Sequence, residues 1–287
     1  MNEQDLFAFD VNALAVYLRE RLTRARLDPP LDPRTNEGPP AFLLRALRHL
    51  KDEEQAEFSN KLCQAIRISF GNLATHIAEK WAKPSGSDSA ADEWLAGLSY
   101  LAQKLEATSV LSMMEVLAVA WLGNGTDKEP SFGVQHLIRS IAYMQQGKGH
   151  EGFWEELWAH RIPELTPLIL FGWARCKPEA ALRQLPGLVR AQDGTALANL
   201  LWSLLASGGP SPIEVGRALA HDAELHQQGR LALERAGASR DELRDYDLPM
   251  TATGPAAGAF PFPPEAKYRA QHTEYVGWDV NLQQVPA

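Results

Sequence analysis

Cysteine is nearly absent from this sequence, with only Cys63 and Cys176 among 287 residues. Two thiols are too few for the disulfide framework of a small secreted domain or for a four-cysteine zinc site, and we expect both to be buried and free. The first residues, MNEQDLFAFD, contain neither a basic region nor an unbroken apolar run, so no secretory signal is expected. These absences favour a cytoplasmic protein.

The short motifs of common enzyme classes are also missing. The chain contains no GxSxG nucleophile elbow, no P-loop, no GxGxxG phosphate-binding turn and no CxxC pair. On this basis we expect no cofactor and no assigned catalytic residue. The sequence therefore favours a non-enzymatic role over a catalytic one.

Basic residues are outnumbered, with 28 Lys and Arg against 36 Asp and Glu, and the formal net charge is −8. A molecule of this charge repels phosphate backbones and anionic lipids, and the sequence has no Lys/Arg cluster that would counter the repulsion. We therefore expect neither nucleic acid nor a membrane surface as a partner. A basic or mixed-charge protein, or a second copy of the chain, fits better.

Long apolar runs fall short of a membrane span. Residues 107–126 and 194–213 come nearest, but GNG at 123–125 and SGGPSP at 207–212 shorten each run to roughly a dozen residues, whereas about 20 are needed. Both segments are typical of central helices surrounded by other helices.

Before roughly the last forty residues, no sustained run alternates apolar and polar residues in the manner of a β-strand. Apolar residues instead recur three or four positions apart throughout. The spacing predicts helices over 10–27 and from Phe42, with a capping-box-like restart at Asp52 and Gln55 that continues to 82, and then over 90–106, 109–122, 132–146, 151–160, 163–175, 178–190, 194–206 and 212–236. Pro178 suits a first helical position, Asp193 and Ser211 are expected N-caps, and Ser239 is expected to cap one more short helix.

Successive short helices with wide apolar faces pack most simply as antiparallel pairs. Residues 162–189, IPELTPLILFGWARCKPEAALRQLPGLV, have a helix opening near a proline, a short turn and a second helix rich in Ala and Leu, and residues 193–220 repeat this plan. The pattern resembles HEAT and armadillo repeats at the level of architecture. It implies an all-α fold of stacked antiparallel helix pairs, an α-solenoid, with an irregular C-terminal tail; the alternative is an irregular helical bundle.

The composition suggests three regions, which together could also form one domain. KPSGSDS at 83–89 is the most linker-like interior segment and separates an N-terminal helical unit, 1–83, from a helical-repeat body, 84–249. Residues 250–287 form a tail rich in proline and aromatics that we expect to pack on the body or on a partner. Its expected contact residues are Phe260, Phe262, Tyr268, Tyr275 and Trp278.

The densest collection of reactive side chains lies in HEGFWEELWAH, residues 150–160. His150, Glu155, Glu156 and His160 could in principle gather around a metal ion, but their order does not match the HExxH spacing of metalloproteases. The favoured interpretation is a helix with its glutamates in water and its large apolar residues in the core, which are Phe153, Trp154, Leu157 and Trp158. Most other tryptophans are also expected to fill the core.

A second collection is HDAELH at residues 221–226. On a continuous helix Asp222 and His226 share one face, as do His221 and Glu224, so these four are the other candidate metal ligands. The sequence thus leaves two hypotheses. The first is a non-enzymatic protein-binding or scaffold protein; the alternative is an all-helical metal-dependent hydrolase that uses one of these His and carboxylate sets.

Overall fold

A computed structural model describes residues 6–23, 39–81, 89–123, 130–145, 151–191, 201, 203–205 and 207–246. Several predictions concern residues outside these ranges and stay predictions. They are the ligand His150, the N-cap Asp193 and the five aromatic residues expected to make contacts in the tail, Phe260, Phe262, Tyr268, Tyr275 and Trp278. The predicted boundaries at 83/84 and 249/250 also fall in stretches outside the description.

The described residues are mostly helical and contain no strand, which confirms the all-α prediction. Two short 3₁₀ turns, Thr108–Val110 and Pro163–Leu165, precede α5 and α8. The helices are α1 Val11–Leu22, α2 Pro39–Arg48, α3 Asp52–Trp81, α4 Ser89–Lys104, α5 Leu111–Gly123, α6 Phe132–Met144, α7 Glu151–Ala159, α8 Thr166–Cys176, α9 Pro178–Ala191, α10 Pro212–Ala220, α11 His226–Arg235 and α12 Arg240–Arg244.

The helices pack as two compact units. The first contains the described residues up to Met144 together with Glu155–Leu165. In it α4 packs most extensively against α6, while α1 contacts both α3 and α4, and α5 lies against α3 and α6. Its core includes Phe70, Trp94, Tyr100 and Ile138. Helices α3 and α4 contact one another although they lie on either side of the predicted boundary at 83/84.

The second unit contains the described residues of Gln145–Trp154 and those from Thr166 onward. Among the helices given above, α8 packs on α9, α9 on α10, α10 on α11 and α11 on α12, and the helical residues 201 and 203–205 lie between α9 and α10 in the chain. Trp154 and Phe171 are its largest fully buried side chains.

Local capping signals predict several helix ends correctly. Asp10 accepts a hydrogen bond from the backbone N–H of Ala13 at the start of α1, and α9 begins at Pro178 as expected. Ser211 and Glu214 form a complete capping box before α10, and the side chain of Ser239 accepts from the N–H of Glu242 in α12. Each side chain satisfies a backbone donor that the helix itself leaves without a partner.

The predicted continuous helix over 212–236 is wrong. Helix α10 ends at Ala220, residues 221–225 form turns, and α11 begins at His226. The two helices pack closely where Gly229 meets the backbone of Leu219 and Ala220, so closely that a Cβ at Gly229 would overlap those atoms. The apolar spacing continues through the turn because both helices bury a face against one another, and the pattern therefore hides the break.

Burial agrees with the predicted core role of four tryptophans. Trp94, Trp121, Trp154 and Trp173 are all buried, whereas Trp158 is half-buried.

Within the ranges that the structure describes, none of the helices combines the length and apolar composition that a membrane span requires.

Candidate functional site

The first candidate segment, 150–160, forms α7 and the turn after it. Glu155 and Glu156 are exposed on the helix, and His160 is exposed one residue past its end. On the other side of the helix Phe153, Trp154 and Leu157 are buried. This arrangement confirms the predicted orientation of the helix, with its carboxylates in water and its large apolar side chains in the core.

Trp154 is held by a polar contact that the sequence did not suggest. Its indole Nε1–H donates to the Oε1 of Gln145 at 2.6 Å, and the Sγ of Cys176 lies 3.5 Å from the same oxygen. The ring also lies against Gly172 of α8, where a Cβ would overlap it. A buried indole N–H requires such an acceptor, so these contacts give the reactive-looking residues Trp154 and Cys176 a structural role.

Neither cysteine forms a disulfide, as expected, but both are half-buried rather than buried. Burial raises the pKa of the Cys63 thiol, and a hydrogen bond with Ser59 only partly offsets this. A raised pKa lowers the fraction of nucleophilic thiolate at neutral pH. Cys63 therefore has the character of an inert thiol.

The second candidate group, 221–226, does not form the single helical face that the sequence predicted. His221 is the C-cap of α10, Asp222 and Glu224 lie in the turn, and His226 is the first residue of α11. The i,i+4 and i,i+3 pairings expected for these residues require a continuous helix, which the turn interrupts. Asp222 and His226 instead have local partners, the N–H of Glu224 and the carbonyl of Ala220, together with partners from distant parts of the chain.

Asp222 pairs with Arg190 from the end of α9, whose Nη1 lies 2.7 and 2.8 Å from the two carboxylate oxygens. The Nη1 atom also lies 3.4 Å from Glu224. Burial acts to raise the pKa of Asp222, but the bonds from Arg190 and from the backbone N–H groups of Glu224 and Leu225 outweigh it and lower the pKa. The carboxylate is therefore held ionised by an arginine.

The ring of His226 lies between two backbone carbonyl groups. Its Nδ1 is 2.7 Å from the oxygen of Ala220, and its Nε2 is 2.5 Å from the oxygen of Tyr246. Both nitrogens thus face protein oxygens. A metal ion would have to replace one of these contacts.

Metal ligation in general requires several donors that converge on one point. Among the residues with described positions, no group of three His, Cys, Asp or Glu side chains is arranged to hold an ion. Glu156 lies on α7 and His160 just after it, while His221 and Asp222 follow α10 and His226 begins α11. The described side chains thus give the hydrolase hypothesis no convergent ligand set.

A polar connection between α4 and α6 was missed by the sequence reasoning. Asp92 of α4 accepts hydrogen bonds from the hydroxyl of Ser131 and from the N–H of Gly133 at 2.9 Å, and so caps the N-terminus of α6. At the other end of α6, the hydroxyl of Ser140 donates to Gln103 at 3.2 Å. A serine one residue before Phe132 was the available signal for the cap.

Helix α5 corrects the expectation that residues 107–126 are surrounded by other helices. Its inner face, including Met114, Leu117 and Trp121, is buried. On the opposite side Val116 is 67% exposed, and it is the most exposed large apolar residue recorded in the described ranges. Met113, Val119 and Ala120 beside it are half-buried. We call these four residues the α5 outer face.

Comparison of the chain with models of known protein families, with curated proteins and with solved structures finds no significant match.

Proposed function

We propose that the chain is a cytoplasmic, non-enzymatic protein-binding or scaffold protein and that the α5 outer face is its main contact surface. The observation that carries the proposal is the exposure of Val116 on a helix whose only charged residue is Glu115. A helix that is apolar on all sides is normally covered on all sides. A protein partner or a second copy of the chain would supply the missing cover.

A comparison with Val16 shows why exposure alone is not the argument. Val16 on α1 is 57% exposed, but its exposed neighbours on that helix are Asn12, Arg19 and Glu20. Single apolar residues on a polar surface are common and require no partner. Val116 differs because Met113, Val119 and Ala120, one turn away on α5, are apolar, and only Ser112 among these neighbours is an exposed polar residue. The contrast makes Val16 a natural control.

The charge of the chain restricts the partner. With 36 acidic against 28 basic residues, the molecule attracts basic or mixed-charge proteins at long range and repels polyanions. We therefore propose a protein partner or a homo-oligomer, and neither nucleic acid nor a membrane. The aromatic tail, 250–287, is proposed to add to the same function by packing on the body or on the partner.

For the body we propose the stacked, HEAT-like arrangement of helix pairs. Support comes from the second unit, where α8 packs on α9, α10 on α11 and α11 on α12, each pair consecutive in the chain. In the first unit α1 contacts both α3 and α4, which is more typical of a bundle. The proposed repeat is accordingly centred on residues 166–246.

The experiment compares Val116→Glu with the matched control Val16→Glu. Covering the exposed part of Val116 contributes about 1 kcal/mol, and an unpaired glutamate in the contact costs about 2 kcal/mol or more. Val116→Glu should therefore weaken association roughly a hundredfold, whereas Val16→Glu should change it less than about threefold. Circular dichroism should show the same helicity for both variants.

Association is measured in two ways. Sedimentation of the pure chain over a wide concentration range tests self-association, and quantitative capture from the native cell at moderate salt tests other protein partners. A complex that forms with the unchanged chain and with Val16→Glu, but not with Val116→Glu, supports the proposal. A chain that stays monomeric and captures nothing, or two variants that behave alike, refutes it.

A further inference from the structure

The apolar surface around Val116 continues onto a second helix. Helix α3 lies against α5, and a Cβ placed on Gly71 of α3 would be 4.0 Å from the Cε of Met113 in α5. Ile68 precedes Gly71 by three residues, so the two occupy the same face of α3. Ile68 is itself 38% exposed. We call the α5 outer face together with Ile68 and Gly71 the α3–α5 face.

Charge is scarce on this part of the surface. The exposed residues of 64–75 and 108–123 include one charged side chain, Arg67, and no acidic one. At the start of α3, by contrast, the exposed residues of 52–57 are all acidic apart from Ala56. The centre of a protein interface differs from the rest of a protein surface chiefly in its depletion of charged residues. The α3–α5 face has this composition.

The same scarcity of charge indicates which partner fits. A basic protein gains affinity from acidic side chains around its contact, and residues 64–75 and 108–123 expose none. A second copy of the chain presents an equally neutral face. Each copy carries a formal net charge of −8, so two copies repel one another wherever acidic surfaces meet. At the α3–α5 face two copies can meet with little local repulsion.

We propose that the α3–α5 face binds the same face of a second copy of the chain. The inference rests on the proposed function, because it assigns the occupant of the contact surface proposed there. Contact between identical faces places a two-fold axis within the face. Val116 is the most exposed residue of the face and lies in the middle of α5, which spans Leu111–Gly123. In such a dimer Val116 lies close to Val116 of the second copy.

The size of the face limits the strength of the contact. Helix α5 has 13 residues and is therefore about 20 Å long, and two packed helices together are about 20 Å wide. The face covers about 400 Å², roughly half of the 800 Å² that each partner buries in a stable complex. We therefore expect a weak, reversible dimer with a dissociation constant on the order of 10 to 100 μM.

The test mixes two charge variants of one residue in the full-length chain. Val116→Glu and Val116→Lys each place like charges opposite one another in a two-fold contact, so each variant alone should dimerise about a hundredfold more weakly. An equimolar mixture brings Glu opposite Lys and should recover about tenfold of that affinity. Val16→Glu and Val16→Lys are the matched controls on α1. Alone and mixed, they should dimerise like the unchanged chain.

Two further measurements test the composition of the face. Ile68→Glu should weaken the dimer about tenfold, because it places a charge in the part of the contact that α3 contributes. Raising the salt concentration from about 0.05 to 0.5 M should strengthen the dimer about threefold, because salt screens the repulsion between two copies of net charge −8. Binding of a basic protein would instead weaken with salt. Circular dichroism should show the same helicity for all variants.

Sedimentation velocity from about 1 to 500 μM covers the expected range of dissociation constants. A chain that stays monomeric throughout, or a mixture of Val116→Glu and Val116→Lys that associates no better than either variant alone, overturns the inference. If the chain is monomeric but captures another protein that Val116→Glu loses and Val16→Glu keeps, the proposed function stands and only the second copy is refuted. A dimer that none of these variants weakens overturns both.

Discussion

Replacing Gln145 by leucine tests whether the reactive-looking segment around Trp154 is structural. Gln145 is 2% exposed, and its Oε1 is the acceptor for the indole N–H of Trp154, which is itself fully buried. Leucine has a similar volume but cannot accept a hydrogen bond. A buried donor left without its acceptor costs about 1 to 3 kcal/mol. We therefore expect Gln145→Leu to lower the free energy of unfolding of the second unit by about 2 kcal/mol.

Urea unfolding followed by circular dichroism measures this change, and a double-mutant cycle assigns its cause. Trp154→Phe removes the donor, so adding Gln145→Leu to it should cost at least about 1 kcal/mol less than in the unchanged chain. Gln184→Leu is the matched control, because Gln184 is half-buried on α9, and it should change stability by less than about 0.5 kcal/mol. Strict additivity, or equal effects of the two glutamine variants, would refute the structural assignment.

Three further predictions concern the other candidate residues. The pKa of Asp222 is lower in the folded protein than in the unfolded chain, so its contribution is present at neutral pH and lost as the pH falls below about 4; Asp222→Asn should destabilise at pH 7 but not in strong acid, as measured by thermal unfolding. Elemental analysis should find no stoichiometric zinc, manganese or iron, and metal lost on His160→Ala or His226→Ala would restore the hydrolase. Truncation after Pro249 should leave circular dichroism helical but weaken association in light scattering.

Helix starts and the orientation of a single helix are the features of this fold that the sequence predicts well. Pro178, Ser211 and Ser239 mark helix starts because a cap satisfies backbone donors only a few residues away. The orientation of α7 follows in the same way from the spacing of its apolar residues. Each of these features depends on residues that lie within one helical turn of one another, so the local sequence is enough to predict it.

The features that the sequence did not predict depend on neighbours in space. The turn at 221–225 accompanies the close approach of Gly229 to Ala220, and no local signal distinguishes that contact from a continuing helix. Likewise, the apolar composition of α5 predicted that other helices surround it. This prediction failed because composition does not reveal how many helices pack against a given helix. Only the packed structure shows that none of the described residues covers Val116.

The histidines and carboxylates of residues 221–226 show that the role of a side chain depends on which partners it has. On a continuous helix Asp222 would pair with His226, but in the structure Arg190 binds Asp222 and two carbonyl oxygens face His226. Exposed ion pairs contribute only about 0 to 1 kcal/mol each, so the pair with Arg190 adds little to stability. The bonds of His226 are less exposed and join two segments. Among these residues, His226 is the one whose ring contacts both the end of α10 and the carbonyl of Tyr246.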